Sequence, residues 1–184
     1  NENGGDLSEV GMFGGASVKR IHKPTGGAAV GPMLVKMFNE NIDKLNIPVM
    51  LETTATQIIV EDGKIAGVKA NNKDGEFTID CKAVVLATGG FGGNAEMVVE
   101  YKPELAGFGT TNHAGATGDG IVMAKELGVQ LVDIEQIQTH PTVHPETQTM
   151  YTEAVRGNGA ILINKEGKRF VNELLTRDVV SEAI

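Results

Sequence analysis

Ala83-Val84-Val85-Leu86-Ala87-Thr88-Gly89-Gly90 is the stretch on which the fold class turns. Five apolar residues without a charge suit a strand covered on both faces by a parallel sheet, and Thr88-Gly89-Gly90 closes it with a tight turn. Open α/β sheets hold their ligands just beyond such strand ends. Upstream, Thr56–Val60, Lys64–Ala70 and Glu76–Asp80 read as three more strands, separated by Asp62-Gly63 and Asp74-Gly75. Asp-Gly between alternating runs is a hairpin signal, so an antiparallel meander over about 54–81 is expected. Val49–Leu51 reads as a short buried strand.

Helices frame these strands. Val30, Met33, Leu34, Met37, Phe38, Ile42 and Leu45 recur at helical spacing, with Pro32 in the first turn, where its missing N–H costs nothing. Met33 and Met37 are read as helix-core filler rather than ligands, and Phe91 and Phe170 as core. A polar helix is expected after Asn94, and another follows the Gly115–Gly120 run and continues through Leu127, with Gly128 at its C-terminal cap. Gln136–Pro145, with two prolines, is expected to be extended or turned. Ala160–Asn164 reads as a strand, Lys165–Lys168 as its turn and Arg177–Ile184 as a helix start. The polar first ten residues read as an irregular beginning.

Composition narrows the function. The chain has 184 residues, with 16 basic against 24 acidic side chains for a net charge of −8. That balance argues against nucleic acid and anionic membranes as partners, since both select Lys and Arg. No apolar run reaches the length of a spanning helix, and no charged-then-apolar leader opens the chain. The lone Cys81 excludes an internal disulfide or a cysteine metal cluster. Glycine is unusually frequent at 24 residues, and of the four arginines Arg156, Arg169 and Arg177 gather near the end. Concentrated arginine in an acidic chain suggests that a small anion is handled locally.

Three glycine clusters stand at element junctions: Thr25-Gly26-Gly27-Ala28 before a helix, Thr88-Gly89-Gly90 after a strand, and Thr117-Gly118-Asp119-Gly120 opening a helix. Any one could be only a tight turn. Together they point to a nucleotide-like cofactor, because glycine admits close backbone approach and helix starts favour anions. His140-x-x-x-His144 has the spacing of a helical zinc pair, but Pro141 and Pro145 break such a helix, so no metal is expected. Glu153 and Arg156 are spaced for an i,i+3 pair. That pair could be an ordinary surface salt bridge. Alternatively His140, Thr152, Arg156 and Arg177 could grip carboxylates, for which the planar guanidinium fork is suited.

In this order and spacing, Gly14-Gly15-Ala16-Ser17, His22-x-Pro24-Thr25-Gly26-Gly27-Ala28, Val84–Phe91, Thr111-Asn112-His113, Gly115-Ala116-Thr117-Gly118-Asp119-Gly120, Gln138-Thr139-His140-Pro141-Thr142, Thr152-Glu153-Ala154-Val155-Arg156-Gly157 and Thr176-Arg177-Asp178 resemble the flavoproteins of the soluble fumarate reductase/succinate dehydrogenase superfamily. The resemblance covers nearly the whole chain. One departure is Ala114, where many relatives carry proline, which bears on loop stiffness.

The resemblance implies an α/β (α+β) chain: part of a Rossmann-like FAD-binding domain with an inserted antiparallel meander, plus the beginning of a capping domain. Residues 1–146 would be the middle of the FAD domain and 147–184 the start of the cap. It implies FAD as cofactor, beside Ala55, Ala87, Thr88, Gly89, Thr111, Asn112 and Asp119. His140, Thr152 and Glu153 would hold one end of a dicarboxylate substrate, and Arg177 would donate a proton resupplied through Glu153 and Arg156. The implied reaction reduces fumarate to succinate with hydride from flavin N5. Alternatives are a urocanate- or methacrylate-type enoate reductase and a ketosteroid-type dehydrogenase on the same scaffold.

The family's N-terminal dinucleotide fingerprint and its later substrate-clamping His and Arg have no counterpart here, so the chain is expected to be an internal segment. As it stands, it could be a folded module that neither holds FAD tightly nor turns over. An electron-donating haem or FMN domain or subunit would lie outside it. A cytoplasmic, periplasmic or cell-surface bacterial location is equally compatible.

Overall fold

A computed structural model describes residues 4–13 and 16–184; Gly14 and Gly15 of the expected glycine motif lie outside the described residues. In chain order the elements are strands β1 (Glu9–Gly11) and β2 (Ile21–Lys23), helix α1 (Val30–Lys44), strands β3 (Thr54–Glu61), β4 (Lys64–Asn72) and β5 (Gly75–Asp80), and helices α2 (Ala95–Tyr101), α3 (Asp119–Glu126), α4 (Glu153–Gly157) and α5 (Arg177–Ala183). They fall into two units. One holds Asn1–Val49 and Gln138–Ile184, the other Met50–Ile137.

The Met50–Ile137 unit is built on the meander β3-β4-β5, antiparallel throughout. Glu61 pairs with Lys64 across Asp62-Gly63, whose φ values of 49° and 73° are those a two-residue hairpin needs. The second hairpin closes differently from its sequence signal. Asn72 pairs with Gly75, so Lys73-Asp74 form the loop and Gly75 opens β5. Ile58 and Ala70 are buried on the sheet, and Met97, Leu105 and Met123 complete this unit's buried apolar set. Helix α2 starts at Asn94, whose side chain accepts from the Met97 N–H at 3.0 Å. Such a cap stabilises a short helix by about 1 kcal/mol.

In the other unit, β1 and β2 form a two-stranded ribbon pairing Val10 with His22. The polar opening therefore contains a strand at Glu9–Gly11, because pairing with Ile21–Lys23 satisfies its backbone. Helix α1 forms as its periodicity requires, yet none of its residues is buried; Met33 and Met37 lie against Gly5. Val180 on α5 is fully buried.

Several expected strands do not form. Ala83–Ala87 and Val49–Leu51 take no strand conformation, and Val85 is 89% exposed. A strand needs hydrogen-bond partners along an edge, and neither segment has one among the described residues. Ala160–Asn164 contributes only the isolated bridge Ile163↔Arg169, with the turn at Lys165–Gly167 as expected. Phe170 is 42% exposed rather than core. Phe91 is half-buried, its ring 5.8 Å from that of Tyr101.

Candidate functional site

The residues singled out as cofactor-lining and those singled out as substrate-handling separate cleanly between the two units. Ala55 is on β3, paired with Ala70. Ala87, Thr88 and Gly89 follow the unpaired apolar run and are exposed. The 110–120 loop folds back on this segment. Thr110 Oγ1 donates to the Gly92 carbonyl at 2.7 Å and accepts from the Asn112 backbone and side-chain N–H groups at 3.1 and 3.0 Å. The Gly93 N–H donates to Ala116 O at 2.9 Å, and Asn94 Nδ2 to Thr117 O at 3.0 Å. Thr111 and Asn112 remain exposed.

Gly118, at φ 85°, turns this loop into α3, whose first residue is Asp119. Thr88 lies so close to α3 that a Cβ at Gly120 would collide with its Oγ1. The backbone at Gly89 and Gly90 is bare, since a Cβ at either would meet nothing within 4 Å. A hydroxyl, a bare glycine backbone and a carboxylate at a helix start are thus drawn together on one side of this unit. That donor and acceptor set suits the sugar and phosphate parts of a dinucleotide.

In the other unit, α4 and α5 bring Glu153 and Arg177 into contact across 24 residues. Glu153 is 6% exposed. Its Oε1 accepts from Arg177 Nε, and its Oε2 lies 3.4 Å from His140 Nε2. The other ring nitrogen, Nδ1, accepts from the Thr142 N–H at 3.3 Å, which places the proton of a neutral imidazole on Nε2, facing Glu153. Arg177 Nη1 donates to Gln138 Oε1 at 2.7 Å. Thr152 is the N-cap of α4, but its hydroxyl makes no capping bond and the residue is exposed. His140 and His144 sit on a non-helical segment, as the flanking prolines require.

The anticipated Glu153–Arg156 pair is not made. Both residues sit on α4, but Glu153 turns to His140 and Arg177, whereas Arg156 Nη1 donates to the Glu173 carbonyl at 2.7 Å. Arg156 Nε and Nη2 are buried without a hydrogen-bond partner among the described residues. Sequence reasoning missed Glu173 and Gln138. An acid is ordinarily read as solvated surface; the Arg169/Glu173 i,i+4 spacing in an arginine-poor chain was the available signal.

Burial pushes the Glu153 carboxyl up, but the Arg177 hydrogen bond, a backbone N–H and the nearby positive charge outweigh it and hold the group below its ordinary range. Glu173 shows the same balance, with Arg169 and the Leu162 N–H opposing burial. A depressed folded-state value stabilises the fold above the ordinary carboxylate range, and that stability is lost as pH falls through the depressed value. The melting temperature of the chain should therefore drop on acidification below roughly pH 4, and Glu153→Gln should flatten that limb while lowering stability at neutral pH. Melting curves across pH check this; an unchanged acid limb in the variant would show that Glu153 is not held ionised.

Residues 3–184 match the FAD binding domain family. The chain belongs to that family. FAD is the cofactor that this family's domain holds. The chain is 48% identical to a fumarate reductase (cytochrome) of Shewanella frigidimarina over 98% of its own length and 32% of the relative's. It is 42% identical to a urocanate reductase of Eggerthella lenta over 94% of its length and 29% of that protein's. The open conformation of a flavocytochrome c3 fumarate reductase superposes with a TM-score of 0.82 at 39% identity, covering all of this chain and 33% of that one. The chain spans about a third of the length of these relatives. The mixed helix and antiparallel-strand fold agrees with the family's, and no helix among the described residues is long and apolar enough to cross a membrane.

Proposed function

We propose that the protein carrying this chain is a FAD-dependent fumarate reductase, with residues 1–146 belonging to its FAD-binding domain and 147–184 opening a capping domain. The observation that carries the reading is the assembly of His140, Glu153, Arg177 and Gln138 around one buried carboxylate. Reduction of a dicarboxylate alkene needs a hydride at one carbon and a proton at its neighbour. Bound in its reduced state, FAD supplies the hydride. The exposed Thr152 hydroxyl holds a substrate carboxylate, His140 joins it by turning its Nε2–H away from Glu153, and the Arg177 charge beside them stabilises the carbanion that develops.

Arg177 donates the proton. A guanidinium is a poor acid, so donation requires a more basic carbanion and fast reprotonation. Glu153 is placed to reprotonate it, since it already accepts from Arg177 Nε, and a proton passed to the carboxylate returns to the guanidinium along that hydrogen bond. Arg156, one turn along α4, would be the next donor in the series by turning from the Glu173 carbonyl, which it bonds here, toward Glu153. The partners of this reading are a small dicarboxylate and an electron-donating domain or subunit.

A reduced-dye assay of the full-length protein tests substrate choice. Fumarate should be turned over far faster than urocanate; the reverse would favour the urocanate-reductase reading that the Eggerthella relative suggests. The isolated chain is expected to be folded but colourless, because Ala87, Thr88 and Gly89, which would line the adenosine part of FAD, are exposed and lie in no strand. A visible spectrum after purification with added FAD checks this, and a stoichiometric flavin band would overturn it.

A further inference from the structure

The geometry points to Glu173, clamped by Arg169, as the positioning residue for Arg156; this rests on the proton-supply role proposed for Arg156. Arg156 is 4% exposed, and its one hydrogen bond among the described residues runs from Nη1 to the Glu173 carbonyl at 2.7 Å. A guanidinium with two unpartnered buried N–H groups has its orientation set by that single bond. Whatever fixes the Glu173 backbone therefore fixes Arg156.

The Glu173 side chain does this. It is 2% exposed and lies in the turn before α5. Oε1 accepts from the Leu162 N–H at 2.7 Å and from Arg169 Nε at 3.0 Å. Oε2 accepts from Arg169 Nε at 2.9 Å and from Arg169 Nη2. The fork of Arg169, whose own backbone is fixed by the bridge to Ile163, thus pins the carboxylate from one side while Leu162 pins it from the other. From the other end of α4, a Cβ at Gly157 would lie 2.9 Å from Met12 O, so the helix has little room to follow a displaced guanidinium. An acid buried this deeply at no solvent-facing site costs desolvation, which a purely apolar residue would avoid.

The test uses the full-length, FAD-loaded protein with Glu173→Ala, Arg169→Gln and Arg156→Lys, singly and combined. Glu173→Ala should lower kcat for fumarate about tenfold with KM within about twofold, and Arg169→Gln should lower it several-fold. In an Arg156→Lys background neither should lower kcat by more than about twofold, because coupled residues are not additive. A merely structural role would reduce melting temperature with kcat intact, or give additive losses; either outcome overturns the inference. Arg169 is half-exposed, so its variant carries the same test should Glu173→Ala fail to fold. If Arg177→Ala abolishes turnover while both clamp variants keep it, only the positioning role fails. If Arg177→Ala keeps its rate, the proton-supply reading itself falls.

Discussion

Arg177→Ala in the full-length protein should reduce fumarate turnover by about 10²–10⁴-fold, the range a positioned general acid contributes, while FAD stays bound. The loss should fall on kcat, because the proton is needed only as negative charge develops on the alkene carbon. Arg177 makes two directed contacts, Nε to Glu153 and Nη1 to Gln138. Lysine has one nitrogen and cannot reproduce both, so Arg177→Lys should recover little of the rate. Stopped-flow reoxidation of the reduced, variant-bound flavin by fumarate separates the chemical step from binding. Retention of more than a few per cent of the rate with stoichiometric FAD would remove Arg177 from the role of donor.

Gly118→Ala should produce the largest loss of stability. Gly118 has φ 85°, and an added Cβ would lie 2.5 Å from Met97 Sδ and 2.8 Å from Phe91 Cβ. A left-handed alanine costs roughly 1–2 kcal/mol and overpacking a further 1–3 kcal/mol. The thioether of Met97 can swing aside, but the Phe91 Cβ is fixed to the backbone. At about 2–4 °C per kcal/mol for a chain of this size, the melting temperature should fall by roughly 5–15 °C. Gly90→Ala is the matched control, since its Cβ would meet nothing within 4 Å. Equal melting temperatures for the two variants would show that the 88–93 and 110–120 segments do not pack as described.

The acid dependence and the Gly118 effect report on different parts of the chain, one in each unit. Acid should loosen the segment around Glu153 and Glu173, whereas Gly118→Ala strains the seat of α3. Proteolysis of the Gly118 variant at neutral pH should therefore cut first within Met50–Ile137.

Helix α1, the Asp62-Gly63 hairpin, the Asn94 cap and the start of α3 were all legible in the sequence, since each depends on residues a few positions apart: apolar spacing, positive φ or a side chain reaching its own helix. The gathering of functional types was legible too, because the chain's few arginines cluster near its end, where Arg156 and Arg177 follow His140 and Glu153. Partner choice was not legible from residue spacing, and only the resemblance linked Arg177 to Glu153. Glu153 bonds Arg177 across 24 positions rather than Arg156 three away, and Arg156 reaches the carbonyl of a residue that carries no motif. The apolar run Ala83–Ala87 likewise carries the composition of a strand but not the neighbour that would make it one. Local conformational energy is written along the chain, whereas a hydrogen bond between distant segments exists only when packing has brought both partners within about 3 Å.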